Sequence, residues 1–151
     1  MVRETKAAAR LTTTQNSYEP AAASATSRLL IADDHEWFRR SMRSLLHGAP
    51  DLEVIDEAKD GQEAIELTRL QRPDLVLMDL QMPRVNGFEA TQTIKEEFSK
   101  TKVLIVSAYE DPRLVSDAVR AGADGYVLKP SLVQEQLAAI RGVLGGESQY
   151  P

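Results

Sequence analysis

From Arg28 onward, short apolar runs alternate with stretches whose apolar residues recur at helical spacing. Leu29-Leu30-Ile31-Ala32, Leu75-Val76-Leu77-Met78 and Val103-Leu104-Ile105-Val106 are continuous apolar blocks. Short blocks of this kind, bounded by polar residues, fit strands buried on both faces of a sheet. Tyr126-Val127-Leu128 is a shorter block, and Glu53 to Glu57, with Val54 and Ile55, is a weak one. Between the blocks lie helical patterns. Phe38, Met42, Leu45 and Leu46 fall on one helix face, and Gly48-Ala49-Pro50 stops that helix. Asp60 and Glu63 make a capping-box pattern, with Asp in place of Ser or Thr, ahead of a helix running to about Leu70. Asn86 and Glu89 repeat the pattern before a helix with Phe88, Thr91, Ile94 and Phe98 on one side. Asp111-Pro112 reads as an N-cap followed by proline in the first turn, and that helix ends near Gly122. Ser131 to Gln134 opens a last helix with Val133, Leu137, Ile140 and Leu144 inward, closed by Gly145-Gly146.

Five strands alternating with five helices predict an α/β fold. Its sheet is parallel, covered on both faces and joined by right-handed crossovers. The chain has 151 residues, enough for one compact domain. Residues 1–27 differ in composition: 15 of them are Ala, Thr or Ser. Such a segment buries too little apolar surface to offset its ordering entropy, so it is expected to be a flexible tail. It lacks the apolar block of a secretory signal. The folded unit is expected over 28–145, with 146–151 beginning a linker. No apolar run approaches the roughly 20 residues that cross a bilayer. There is no cysteine. That excludes disulfides, thiolate metal sites and cysteine nucleophiles, and suits a reducing compartment such as the cytoplasm. A net charge of −5 makes this chain by itself a poor binder of nucleic acid.

In open parallel sheets, function gathers beyond the carboxyl ends of the strands. Asp33-Asp34 follows the first strand, Asp79 the third, Ser107 the fourth and Lys129-Pro130 the fifth. Three carboxylates crowded on one rim repel one another at neutral pH. Either their pKa values rise or a cation sits among them. An all-oxygen site of this kind suits Mg²⁺. A carboxylate beside Mg²⁺, an ammonium and a hydroxyl can accept a phosphoryl group, with positioning and charge compensation doing most of the catalysis. Each residue also has a plainer reading. Asp33 could cap a helix together with Glu36, and Asp79 could be an ordinary polar strand end. Lys129 could be a solvated charge, and Tyr126 a core aromatic. His35 and His47 read as structural. The chemical case rests on the conjunction.

That conjunction, with Leu29-Leu30-Ile31-Ala32-Asp33-Asp34-His35, Met78-Asp79-Leu80-Gln81-Met82-Pro83-Arg84-Val85-Asn86-Gly87, Val106-Ser107-Ala108-Tyr109 and Gly122-Ala123-Asp124-Gly125-Tyr126-Val127-Leu128-Lys129-Pro130, resembles the response-regulator receiver domain of two-component signalling. The Asp-Asp-His opening and the ending from Ile140 to Pro151 resemble the subgroup whose receivers precede a helix-turn-helix DNA-binding domain. The resemblance implies a doubly wound, flavodoxin-like sheet of five strands in the order 2-1-3-4-5. It implies that Asp79 is the phosphoacceptor, served by the phosphohistidine of a sensor histidine kinase. Asp34, Asp79 and the backbone carbonyl of Gln81 would bind Mg²⁺, with Asp33 acting through water. Ser107 would bond a phosphoryl oxygen after swinging inward, Lys129 would pair with the phosphoryl group, and a cis Lys129-Pro130 peptide would aim it. Tyr126 would be the rotating aromatic that reports Ser107, and Ala108 leaves the group accessible. Gln81 and Tyr109 would tune its hydrolysis. The chain would be a phosphoacceptor rather than an enzyme in its own right, switching the face between the fourth and fifth helices. DNA would be contacted only through an output domain, and the ending favours a receiver cut from a longer regulator over a stand-alone one.

Three rival readings are weaker. A phosphatase working through an aspartyl-phosphate would want an acid two residues after Asp79, where Gln81 stands. A flavin-binding protein on the same sheet would need a phosphate loop where Asp33-Asp34 would repel it. A receiver-like module that is never phosphorylated would not need so complete an acid site. A homodimer formed on phosphorylation is also expected. Leu132, Ala139 and Val143, together with Trp37, fit either a contact between the first and fifth helices or extra core packing.

Overall fold

The computed structural model describes residues 26–131 and 133–151. Most of the N-terminal segment, through residue 25, therefore lies outside the described residues, as does Leu132. In chain order the elements are β1 (Ser27–Ala32), α1 (Glu36–His47), β2 (Leu52–Ala58), α2 (Gly61–Gln71), β3 (Leu75–Met78), α3 (Gly87–Glu97), β4 (Lys102–Ser107), α4 (Pro112–Ala121), β5 (Gly125–Leu128) and α5 (Val133–Leu144). The strands form one parallel sheet in the order β2-β1-β3-β4-β5.

The continuous apolar runs are explained by two cores, one on each face. Successive strand residues point to opposite sides. Leu30, Ala32, Val76, Met78, Val103 and Ile105 pack with residues of α2, α3 and α4. Leu29, Ile31, Leu75, Leu77, Leu104 and Val106 pack with α1 and α5. A strand with a core on each side tolerates no polar position. Each such leucine or isoleucine, taken fully from water, contributes roughly 1.5–3 kcal/mol before entropy is counted.

The helix starts follow their local chemistry. The Asp60 side chain accepts from the Glu63 N–H at 2.8 Å, and Glu63 accepts from the Lys59 N–H at 2.7 Å. Asn86 and Glu89 form a reciprocal capping box on α3, and Asp111 caps α4 with Pro112 behind it.

Helix α5 departs from its predicted register. Val133 is 53% exposed, and the buried positions are Gln136, Ala139, Ile140 and Val143. Leu137 and Leu144 only flank that core. Apolar residues stand nearly all round this helix, so spacing alone left its orientation open. Ala139 and Val143 are core residues, which settles for them the choice between packing and an exposed contact face. Trp37 stays exposed at 62%.

Residues 147–150 run back along the free edge of β5. The Tyr126 N–H donates to the Gln149 carbonyl at 2.7 Å, in a parallel bridge opposite Gly125. Gly125 and Gly142 make room: a Cβ on either would lie within 3 Å of Gln149 atoms. The Tyr150 hydroxyl donates to the Ala123 carbonyl, and its ring packs on the α2–α4 core.

Candidate functional site

The sheet register assembles the site. Ala32 pairs with Met78, so Asp33 and Asp79 leave adjacent strands at the same level. The Asp79 N–H donates to the Ala32 carbonyl at 2.9 Å. Ser107 pairs with Leu128, and the Lys129 N–H donates to the Ser107 carbonyl at 2.8 Å. Because β1 is followed by β2 on one side and β3 lies on the other, the crevice opens where the order reverses, the usual place for a ligand in such sheets.

The crevice has a volume of about 340 Å³ and is lined by Asp34, Asp79, Gln81, Ser107, Tyr109 and Lys129, among others. Asp33 and Asp79 are buried, while Asp34 is exposed. Ligand atoms of Asp33, Asp34, His35 and Asp79 all lie within 4.8 Å of one another. Lys129 Nζ stands 2.8 Å from Asp33 Oδ2 and 3.4 Å from Asp79 Oδ1. His35 Nδ1 stands 3.1 Å from Asp33 Oδ1 and 3.2 Å from Asp34 Oδ1. Burial, and after it the Asp33 carboxylate, pushes the Asp79 carboxyl up to about 6, with Lys129 opposing them. A divalent cation at this pocket would oppose that shift by favouring the ionised carboxylate.

The same site has the properties of a cation site. Asp33 Oδ2 is buried and, apart from the Lys129 ion pair, takes part in no hydrogen bond. A buried carboxylate oxygen with spare lone pairs, two further carboxylates within reach and an open side is a donor set for a hard divalent ion. The residues present therefore fit a metal ion held at the acidic pocket.

Ser107 is buried, and its Oγ accepts from the Tyr109 N–H at 3.1 Å. Tyr126 has its ring in the core and donates its hydroxyl to the Tyr109 carbonyl at 2.6 Å. Burial raises the Tyr126 phenol above its ordinary value. Both side chains therefore hold the loop after β4. Gln81 lines the crevice, and Ala108, at its mouth, is exposed.

One expectation needs correction. The Lys129–Pro130 peptide is not cis; no cis peptide occurs among the described residues. Lys129 reaches the acids from a trans bond because its backbone is held at both ends. Its N–H bonds Ser107, and its carbonyl accepts from Gln136 Nε2 at 2.8 Å. His35, read as structural, lies within hydrogen-bond reach of both acids of the pair.

Other contributors had no clear mark in the sequence. Arg39 is buried, donates to the Asp33 carbonyl at 2.7 Å and pairs with Glu57 at 2.8 Å. It braces the backbone of the first acid; its one signal was a position beside Phe38 on the inward side of α1. Arg84 pairs with Asp60 and ties the loop after β3 to the start of α2. No helix among the described residues is long and apolar enough to cross a membrane.

The model of the response regulator receiver domain matches residues 29–141. The transcriptional regulatory protein LiaR of Bacillus subtilis is 41% identical over 120 residues, covering 80% of this chain and 57% of LiaR. The transcriptional regulatory protein DegU of Brevibacillus brevis is 36% identical over 119 residues, covering 79% of this chain and 50% of DegU. The chain thus spans about half the length of these relatives. Among solved structures, a two-component response regulator of the LuxR family from Aurantimonas sp. SI85-9A1 superposes with a TM-score of 0.79 at 36% identity, covering 82% of this chain and 89% of that one.

Proposed function

Because this chain belongs to the response-regulator receiver domain family, we propose that Asp79 is its phosphoacceptor, charged from the phosphohistidine of a sensor histidine kinase in the cytoplasm. The observation that carries this reading is the junction of β1 and β3. There a buried acid with a raised pKa faces a second buried acid, with one ammonium set between them. Asp33, Asp34, Asp79 and the backbone of Gln81 would hold Mg²⁺, which supplies positive charge to ionise Asp79 and balance the phosphoryl oxygens.

In the transfer, an Asp79 carboxylate oxygen bonds to phosphorus as the phosphorus–nitrogen bond of the donor breaks. The departing imidazole keeps that electron pair and takes up a proton from solvent. Lys129, already 3.4 Å from Asp79, moves onto the new phosphoryl oxygens. Ser107 exchanges its Tyr109 contact for one to the phosphoryl group, donating its hydroxyl. Tyr126, which shares the Tyr109 anchor, is then freed to move. The added −1.5 to −2 charges favour that arrangement of the loops after β4 and β5 and shift the α4–β5–α5 face between two populations.

The family is a signalling family, and the chain's part is to be charged and discharged; Gln81 and Tyr109, at the crevice, would set how fast water removes the group. LiaR and DegU are transcriptional regulators. We propose the same output here, with altered dimerisation as the lever and DNA contacted through an output domain rather than by this acidic chain.

The test is incubation with Mg²⁺ and acetyl phosphate, followed by intact mass and sizing. The wild type is expected to gain one phosphoryl group, and Asp79→Asn none. Equal labelling of the variant would move the acceptor elsewhere.

A further inference from the structure

We propose that Phe38 is a positioning residue for Lys129, holding its ammonium at the acid crevice through the face of its ring; this rests on the reading of Asp79 as phosphoacceptor. Lysine is a point charge on a long flexible stem, and its backbone anchors, Ser107 and Gln136, fix only where that stem begins. The far end is fixed by three groups. Nζ lies 2.8 Å from Asp33 Oδ2, 3.4 Å from Asp79 Oδ1 and 4.5 Å from the centroid of the Phe38 ring.

The acids are the nearer partners, yet both are claimed by other chemistry. Asp33 belongs to the donor set that would face a divalent ion, and Asp79 becomes an acyl phosphate. A cation drawing on Asp33 would leave Lys129 without its closest partner. The ring face attracts the ammonium through its quadrupole and takes no acceptor away from metal or phosphate. It therefore retains the charge at the crevice while its carboxylate partners change.

The ring itself cannot easily turn away. Phe38 is buried on α1, packs with Met42 and Leu46 in the α1–α5 core, and forms a T-shaped ring pair with Trp37 at 5.9 Å and 89°. Lys129 is itself largely enclosed, its side chain 14% exposed, so the contact is partly desolvated, where such pairs are stronger.

A core phenylalanine would look similar if it only filled space, so the test separates packing from charge. The full chain is phosphorylated with acetyl phosphate and Mg²⁺, and the initial rate is read by intact mass for wild type, Phe38→Leu, Phe38→Tyr, Lys129→Met and the Phe38→Leu/Lys129→Met double variant. Phe38→Leu is expected to slow labelling roughly 5-fold, the scale of a partly desolvated cation–π contact. Phe38→Tyr, which keeps a π face, should recover most of the rate. In the Lys129→Met background, Phe38→Leu should cost nothing further. Proton NMR should place the Lys129 ε-methylene upfield in wild type and Phe38→Tyr, and at its ordinary position in Phe38→Leu. The proposal is overturned if Phe38→Leu labels at the wild-type rate, or if it slows labelling equally with and without Lys129. A wild type that gains no phosphoryl group at all would instead overturn the phosphoacceptor reading.

Discussion

Exchanging Asp79 for asparagine is expected to stabilise the metal-free protein at pH 7.5, by about 2 kcal/mol, while abolishing its phosphorylation. The reason is the raised Asp79 carboxyl, pushed up to about 6 by burial and by Asp33. In the unfolded chain an aspartate titrates near 3.9. The folded state therefore binds this proton more tightly than the unfolded one. By linkage, the Asp79 contribution to stability falls as pH rises from about 4 to about 6, and its full cost, about 3 kcal/mol, stands above that window. Asparagine removes the charge but also weakens the contact to Lys129, so somewhat less than the full cost is recovered. The other charged groups that bear on the profile are Asp33, Asp34, His35 and Lys129. Urea melts in a chelator at pH 5 and pH 7.5 read the effect directly: the gain from Asp79→Asn should be present at the higher pH and shrink toward pH 4. Adding Mg²⁺ should stabilise the wild type by mass action, about 2.7 kcal/mol at one hundred times its Kd, and the variant far less. A variant less stable than wild type at pH 7.5 without metal would show that the buried charge carries no cost.

Gly87→Ala is expected to destabilise the protein by about 3 kcal/mol and to disable the site. A Cβ at Gly87 would lie 2.1 Å from the Asp79 carbonyl oxygen and 2.8 Å from Leu80 Cα, both backbone atoms. The Gly87 N–H also donates to the Leu80 carbonyl at 2.9 Å, so helix α3 starts directly against the segment that carries Asp79. Neither side can give without moving the acceptor. Gly145→Ala is the matched control, since a Cβ there meets nothing closer than 3.4 Å. It should change stability by less than about 0.5 kcal/mol. Equal effects of the two substitutions would refute the steric account.

The strands, the caps of α2, α3 and α4 and the acids at the strand ends were legible because each is written locally. A run such as Leu75 to Met78 has a core on both faces and admits no polar residue. Asn86 and Glu89 close their capping box within one turn. The strand order was not written in the spacing; it came with the family resemblance, and the structure has the same order. What escaped depends on partners distant in sequence. The inward place of Gln136 makes sense only beside the Lys129 carbonyl, and that of Arg39 only beside Glu57 and Asp33. The seat of Gln149 against β5 depends on two glycines on different elements. The direction of the Lys129 side chain was expected from a cis peptide, whereas contacts with Ser107, Gln136, Asp33 and Phe38 hold it.

The most direct measurement is chemical trapping of the labelled residue. After brief charging with Mg²⁺ and acetyl phosphate, borohydride reduces an aspartyl-phosphate to homoserine, and peptide mass mapping finds the position. Conversion confined to the peptide bearing Asp79, and absent when Mg²⁺ is chelated, is the predicted result. Conversion at Asp33, Asp34 or a distant aspartate, or at Asp79 with no dependence on the metal, would contradict the account.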